Sequence, residues 1–118
     1  MTSERHILLV EDESAIAELI RTALEASGLR VTACAGVQSA LNAVEQEPVD
    51  LAIIDLSLPD GAPDRLTDRL KGSGVPMIAI SGDPARLAAF TPGHTLEKPF
   101  RVRALMDLVR GMLDGAAG

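Results

Sequence analysis

The sequence predicts an α/β domain in which helices cover both faces of a doubly wound, five-stranded parallel sheet. Three observations support this fold class. Short apolar runs and amphipathic helical stretches alternate five times along the 118 residues. The third apolar run, residues 51–54, has no polar side, which is typical of a strand buried on both faces. No internal repeat or interdomain linker interrupts the alternation, so we expect residues 1–118 to form one domain.

The first strand–helix unit occupies residues 6–28. Residues 6–10 form a short apolar strand that ends at a run of acidic residues. A helix opens between Asp12 and Ser14, both of them residue types that favour helix N-termini. Apolar residues at helical spacing form its buried stripe, and Gly28 ends it, because glycine readily adopts the left-handed conformation that follows many helices.

The second unit and the third strand follow the same pattern. Residues 30–34 are predicted as a strand, and the helix that starts near Val37 cannot continue through Pro48. Residues 50–54 form the third strand. Cys34 is the only cysteine of the chain, which excludes an internal disulfide, and its strand position predicts a small buried apolar side chain.

The remaining elements are shorter or weaker in the sequence. A third helix is predicted within residues 61–71, and a fourth apolar strand over residues 76–80. Residues 84–90 can hold at most a short helix, because a turn signal of proline and glycine follows directly. Residues 95–97 form a weak fifth strand, and residues 100–113 form the last helix, again with apolar residues at helical spacing.

Right-handed crossovers between five such strands favour the sheet order 2-1-3-4-5, as in flavodoxin-like proteins. In that order the carboxyl ends of strands 1, 3, 4 and 5 converge on one edge of the sheet. Those ends carry Glu11 and Asp12, then Asp55, Ser81 and Lys98. Carboxylates that are brought together repel one another, so protonation or a cation must relieve them. Oxygen ligands without a neighbouring histidine or cysteine indicate a hard cation, above all Mg²⁺.

Composition excludes several classes of function. Eleven basic and 17 acidic residues give a net charge of −6, which argues against a nucleic-acid partner. No apolar run approaches the length of a membrane-spanning helix, and the amino terminus lacks the apolar core of a secretory signal. We therefore expect a cytoplasmic protein without a membrane or nucleic-acid partner.

Four short motifs occur in order, each at a predicted strand end, and together they cover the chain. They are Leu-Leu-Val-Glu-Asp-Glu at residues 8–13, Ile54-Asp55 with Leu58-Pro59, Ile-Ser-Gly at residues 80–82, and Glu-Lys-Pro-Phe at residues 97–100. In these motifs the sequence resembles the receiver domain of a two-component response regulator. The resemblance implies a stand-alone phosphoacceptor domain without an output domain. Its phosphoryl group would come from a sensor histidine kinase or a phosphotransfer protein, and an unidentified downstream protein would bind the phosphorylated form.

The resemblance also implies roles for individual residues. Asp55, the acid after the third strand, would be the phosphoacceptor, since a carboxylate can form an aspartyl phosphate. Asp12, Asp55 and the backbone carbonyl of Ser57 would bind Mg²⁺, and Glu11 would reach the ion through water. Glu11 stands where the family more often has an aspartate, but it keeps the charge. Apart from its own phosphorylation and dephosphorylation, such a domain is not an enzyme.

Three further polar residues receive roles in the same way. Lys98 would place its ammonium group against the phosphoryl oxygens as a compact charge, and the peptide bond to the proline after it is cis in the family. Ser81 would donate its hydroxyl to a phosphoryl oxygen once Asp55 is modified. Ser57 and Asp83 match positions that tune dephosphorylation in the family, although both are also ordinary turn residues.

The chain departs from the family in its expected switch. Thr95 stands where the family has an aromatic residue, and the sequence contains neither tryptophan nor tyrosine. The segment between Ser81 and Lys98 is shorter than usual by about one helical turn. Phe90 could replace the missing aromatic or could simply fill the core. We expect residues 83–93 to be the segment least protected from amide exchange in the unphosphorylated protein, and to become ordered on phosphorylation.

Other polar residues have a structural interpretation. His6 is expected at the edge of the first strand and His94 in the turn before the fifth, because no metal-ligand or catalytic spacing surrounds either. Glu13 is expected to be a solvated acid at a helix start.

Alternative functions stay open on the sequence alone. A phosphate sink or shuttle in a phosphorelay would use the same fold and the same acceptor. An aspartate-based phosphohydrolase of the haloacid dehalogenase type is disfavoured, because it needs a second acid two positions after the nucleophile, where this chain has Ser57. A flavodoxin-like cofactor binder is disfavoured by the low aromatic content and by acids where a phosphate would bind.

Overall fold

Strands and helices alternate strictly along the chain, and the computed structural model describes residues 4–90 and 93–117. The strands are β1 (His6–Val10), β2 (Arg30–Cys34), β3 (Leu51–Asp55), β4 (Met77–Ser81) and β5 (His94–Glu97). The helices are α1 (Ser14–Ala26), α2 (Val37–Gln46), α3 (Asp64–Gly72), α4 (Pro84–Ala88) and α5 (Val102–Ala117). All strand pairs are parallel, in the order β2-β1-β3-β4-β5. The predicted fold class is confirmed, including the short fourth helix.

Two apolar cores lie on opposite faces of the sheet. Every residue of β1, β3 and β4 is buried, which explains why these strands lack a polar side. Successive strand residues point to opposite faces. Ile53 therefore packs with α1 and α5, whereas its neighbour Ile54 packs with α2 and α3. Each fully buried isoleucine of this kind stabilises the fold by roughly 1.5–3 kcal/mol.

Two polar residues are the last residues of their strands, one position beyond the predicted ends. Asp55 ends β3 and pairs with Ile80 of β4. Ser81 ends β4 and pairs with Glu97 of β5. Parallel pairing continues to these residues, so the backbone holds both side chains at the carboxyl edge of the sheet.

Two helices differ from their predicted boundaries. α3 begins at Asp64 and not near Gly61, because Gly61 has a φ of +109°, which is incompatible with a right-handed helix. α5 begins at Val102 and reaches Ala117, so the predicted helix at residues 100–113 is displaced toward the carboxyl terminus. Its last turns contain alanine and no proline, which allows the helix to continue.

Two residues differ from their predicted surroundings. Cys34 is half-buried against the core under α2, because it ends the edge strand β2 and has a neighbouring strand on one side alone. Burial still raises the pKa of its thiol, against a smaller opposing effect of a hydrogen bond with Ser39. His94 is the first residue of β5 and is exposed, whereas the turn before this strand was expected to contain it.

No helix within residues 4–90 and 93–117 is both long enough and apolar enough to cross a membrane. The longest helix, α5, has 16 residues, fewer than the roughly 20 that a span requires.

His6 lies at the amino end of the sheet and is buried, with an exposure of 3%. Its Nδ1 lies 2.8 Å from the carbonyl oxygen of Pro48, and its Nε2 lies 2.7 Å from Oγ1 of Thr32. Its backbone N–H donates to Oδ2 of Asp50 at 2.7 Å, and the N–H of Asp50 donates back to the His6 carbonyl at 2.7 Å. This residue, expected at the strand edge, thus joins two strands to the loop before β3.

Candidate functional site

Asp55 is the central side chain at the carboxyl edge of the sheet. It ends the fully buried strand β3 and is 2% exposed. Its Oδ1 accepts a hydrogen bond of 2.8 Å from the backbone N–H of Ser57, and its Oδ2 accepts one of 3.0 Å from Nζ of Lys98. Both carboxylate oxygens are therefore held in place by groups of the chain.

Glu11 and Asp12, which follow β1, bring two more carboxylates to Asp55. One oxygen atom of each of these three residues lies within 4.8 Å of the other two. Glu11 is 3% exposed, whereas Asp12 is exposed to solvent. The convergence that the strand order predicted is thus present among the described residues.

The three residues Glu11, Asp12 and Asp55 form an acidic cluster, in which the carboxyl group of Glu11 has a raised pKa. Burial, followed by a hydrogen bond with Asp55 and repulsion by its charge, raises the pKa of Glu11 to about 7. A hydrogen bond from the N–H of Glu13 to Oε2 at 3.2 Å acts in the opposite direction. Oε1 is buried and has no hydrogen bond of acceptable geometry from the described residues, although Nζ of Lys98 lies 3.2 Å away. A buried oxygen in this condition is a site for a cation or a proton.

The acidic cluster fits a hard divalent cation. Its donors are carboxylate oxygens, with no histidine or cysteine among them, and oxygen donors are what Mg²⁺ selects. The orphaned Oε1 of Glu11 and the excess of negative charge both supply a reason for a cation to bind. Mg²⁺ at this edge is consistent with the donor set.

Lys98 reaches the acidic cluster from the end of β5. Its peptide bond to Pro99 is cis, and its backbone N–H donates to the carbonyl of Ser81 at 2.9 Å. Its Nζ lies 3.0 Å from Oδ2 of Asp55, and 3.9 Å from Oε1 of Glu13. Burial by itself lowers the pKa of Lys98, but the hydrogen bonds and charges of Asp55 and Glu11 outweigh it and hold that pKa above its ordinary value. The cationic form is therefore favoured.

The remaining predicted residues lie around the acidic cluster. Ser81 is fully buried at the end of β4, and its Oγ accepts from the N–H of Asp83 at 3.0 Å. Asp83 caps α4 through a 2.9 Å bond from the N–H of Ala85 to its Oδ1. Glu13 is mostly exposed, as expected, although it also approaches Lys98.

Thr95, which stands at the position of the usual aromatic switch, is exposed in β5. Phe90 lies beyond α4 and packs on the edge of the core under α2 and α3, as well as against Leu56 and Leu87. It fills space next to Gly93, where a Cβ atom would lie 2.5 Å from its ring. The core role of Phe90 is thus supported by its contacts.

Two polar contacts near the site have no clear signal in the sequence. Asp60, in the loop after β3, accepts from the N–H groups of Val37 at 2.9 Å and of Gln38 at 3.1 Å, and these bonds lower its pKa. Arg86 of α4 donates to the carbonyl of Leu56 at 3.0 Å. A Pro-Asp-Gly turn predicts a local turn and not a cap on a helix 23 residues away.

The fold and the site together define the class of protein. A doubly wound sheet with an acidic cluster and a lysine held against it at this edge is the arrangement expected of a receiver domain. Residues 7–110 match the family model of the response regulator receiver domain, and the chain belongs to this family. The resemblance seen in the four motifs is therefore confirmed.

Characterised relatives agree with this assignment. The KDP operon transcriptional regulatory protein KdpE of Escherichia coli K12 is 37% identical over 111 residues, which are 89% of this chain and 49% of KdpE. The sensor protein GacS of Pseudomonas syringae is 32% identical over 115 residues, which are 87% of this chain and 13% of GacS. The chain spans about half the length of the regulators it matches, such as KdpE.

Solved structures show the same fold. A CheY-like response regulator receiver domain protein from Methanospirillum hungatei is similar with a TM-score of 0.83 and 27% identity, over 96% of both chains. The receiver domain of the hybrid histidine kinase CckA is similar with a TM-score of 0.79 and 29% identity, over 92% of this chain and 98% of that one.

Proposed function

We propose that Asp55 accepts a phosphoryl group from a phosphohistidine of a sensor kinase or a phosphotransfer protein. The phosphorylated domain then signals by binding a downstream protein. One observation carries the assignment to Asp55: it is a 2% exposed carboxylate that ends the central strand β3, with Nζ of Lys98 at 3.0 Å. Membership of the receiver family and the position of this acid at the carboxyl edge of the sheet support the proposal.

The transfer is a displacement at phosphorus. One oxygen of Asp55 attacks the phosphorus atom, the P–N bond to the donor histidine breaks, and the imidazole leaves. The product is an acyl phosphate on Asp55. The N–H of Ser57 and the ammonium of Lys98 orient the carboxylate before the reaction, at 2.8 and 3.0 Å. Afterwards Lys98 offsets the negative charge of the phosphoryl oxygens, and Ser81 donates its hydroxyl to one of them.

Mg²⁺ is the cofactor that we propose for this reaction. Asp12, Asp55 and the backbone carbonyl of Ser57 would hold the ion, with Glu11 contributing through water. When bound, it supplies positive charge that offsets the oxygens of the transferring phosphoryl group. Without the ion, the ammonium group of Lys98 and the raised pKa of Glu11 reduce the excess negative charge of the acidic cluster.

We also propose that residues 1–118 act as one receiver unit in the cytoplasm, where phosphorylated sensor kinases are met. The curated relatives include transcriptional regulators and a sensor protein, so the downstream partner is not defined by family alone. A phosphate sink or shuttle without output of its own is the alternative function, and the exposed Thr95 at the position of the aromatic switch is the observation that supports it.

Intact-mass measurement after incubation with acetyl phosphate and Mg²⁺ tests the acceptor. The native chain should gain one phosphoryl group, and Asp55→Asn should gain none. Asp68→Asn, which changes an exposed acid on α3, should behave as the native chain does. An adduct that persists in Asp55→Asn would move the acceptor to another residue.

A further inference from the structure

Arg86 of α4 joins the loop after β3 to the turn after β4, and both segments adjoin the acidic site. Its Nη1 donates to the carbonyl of Leu56 at 3.0 Å and lies 3.4 Å from Oγ of Ser57. Its Nε lies 3.6 Å from Oδ2 of Asp83, the residue that caps α4. One guanidinium group therefore contacts both the loop after β3 and the turn after β4.

The residues that Arg86 contacts are bonded in turn to the reacting edge. Ser57 donates its N–H to Oδ1 of Asp55 at 2.8 Å. Asp83 donates its N–H to Oγ of Ser81 at 3.0 Å. A continuous chain of contacts thus links Asp55 through Ser57, Arg86 and Asp83 to Ser81.

One apolar contact anchors the short helix from which Arg86 extends. Leu87, the next residue, is buried in a small cluster with Leu56 and Ala79. The hydrogen bond from Arg86 to the Leu56 carbonyl therefore joins two segments that already pack together through Leu56 and Leu87. Because the Arg86 side chain is 54% exposed, its ion pair with Asp83 adds little to global stability. Arg86 instead acts by fixing the positions of the groups it contacts, since a planar guanidinium group can bond several acceptors in fixed directions.

We propose that Arg86 is a positioning residue that lengthens the lifetime of the phosphoryl group on Asp55, an inference that rests on the proposed function. In hydrolysis, a water oxygen attacks phosphorus, the P–O bond to Asp55 breaks, and inorganic phosphate leaves with the oxygen and both hydrogen atoms of the water. Asp55 regains its carboxylate. With Arg86 in place, the loop carrying Ser57 and the turn carrying Asp83 stay joined, which restricts the entry of that water.

The test is the first-order decay of the phosphorylated chain, followed by intact mass after removal of acetyl phosphate. Loss of charged hydrogen bonds of this kind should accelerate decay in Arg86→Ala roughly fivefold. Arg86→Lys should be intermediate, because a single ammonium group cannot span the same acceptors. Arg110→Ala is the matched control, since Arg110 also pairs with an acid three residues earlier, Asp107, but on α5. It should decay at the native rate.

Thermal melting of the unphosphorylated variants separates positioning from a loss of folding. Alanine is the better helix former, so Arg86→Ala should melt close to the native chain. Equal decay rates in native, Arg86→Lys and Arg86→Ala would overturn the inference and leave the phosphoacceptor function intact. Equal acceleration in Arg110→Ala would overturn it as well. If the native chain takes up no phosphoryl group at all, the proposed function fails and this inference fails with it.

Discussion

Buried polar groups lie at both ends of the sheet, but the two ends differ in whether these groups have hydrogen-bond partners. At the amino end, His6 has a partner within 2.8 Å for each ring nitrogen and for its backbone N–H. At the carboxyl end, Glu11 and Asp55 are as deeply buried, yet Oε1 of Glu11 has no hydrogen bond in the described part of the chain. Three carboxylates cluster there, and two of them, Glu11 and Asp55, pair with the ammonium group of Lys98.

The difference separates a structural network from a binding site. A satisfied polar network inside a protein fixes the elements that it joins, because breaking it leaves buried groups without partners. An acidic cluster with excess charge carries a cost in the free protein that a cation or a proton can relieve. The raised pKa of Glu11, about 7, is one expression of that cost. At the amino end, His6 joins β1 to β2 and to the loop before β3, whereas at the carboxyl end the acidic cluster leaves a buried oxygen that a proposed ligand would satisfy.

Substitution of His6 should produce the largest change in stability. His6→Ala removes a buried ring and leaves the Pro48 carbonyl and the Thr32 hydroxyl unpaired, so we expect a loss of about 3 kcal/mol in the free energy of unfolding. Urea titration measures this loss, and His94→Ala, at an exposed position, is the control and should change little. Phosphorylation of the folded His6→Ala chain should be unaffected. A variant as stable as the native chain would refute the structural role of His6.

Mg²⁺ should stabilise the carboxyl end by a comparable but slightly smaller amount. Binding to the native state alone adds about 2.7 kcal/mol at a hundredfold excess over Kd. Asp12→Ala should lose this gain, while Asp68→Ala, at an exposed position on α3, should keep it. Thermal melts with Mg²⁺ and with a chelator measure the difference. If the native chain melts at the same temperature with Mg²⁺ and with the chelator, the proposed cation site is wrong.

The smallest expected effect concerns α4, which lies next to the acidic site. This helix has five residues, and Leu87 is its buried anchor, so its isolated stability is marginal. Residues 91 and 92 of the predicted segment 83–93 lie outside the described residues. We expect the amides of this segment to be the least protected in the free protein, and to gain protection with Mg²⁺ and beryllofluoride. Hydrogen exchange followed by mass spectrometry measures both states. Unchanged protection of residues 83–90 on activation would favour a phosphate sink over a switch.

Much of the fold is readable from the sequence because its signals are local. Gly28 and Pro48 mark where helices end, and the unbroken apolar run before Asp55 marks a central strand. The strand-order rule then brings Glu11, Asp12, Asp55 and Lys98 together without any side-chain geometry. The structure agrees, since Lys98 pairs with Glu11 and Asp55, and an oxygen of Asp12 lies within 4.8 Å of the oxygens of both acids.

The rest depends on contacts between distant parts of the chain. Pro48 lies 42 positions and Thr32 lies 26 positions from His6, and nothing in the apolar pattern of β1 indicates either partner. Arg86 reaches Leu56 across 30 positions through one rotamer of a long side chain. Periodicity predicts which face of an element is buried, but not where a flexible polar side chain ends.

The most direct test of this contrast is the stability gained from Mg²⁺ with beryllofluoride, a stand-in for the phosphoryl group, in three chains. The native chain and His6→Ala should gain equally, because the ligands act at the carboxyl end alone, although His6→Ala starts from a lower stability. Asp55→Asn should lose the gain that beryllofluoride adds to that of Mg²⁺. A full gain in Asp55→Asn, or a lost gain in folded His6→Ala, would contradict the division of the sheet into a structural end and a ligand-binding end.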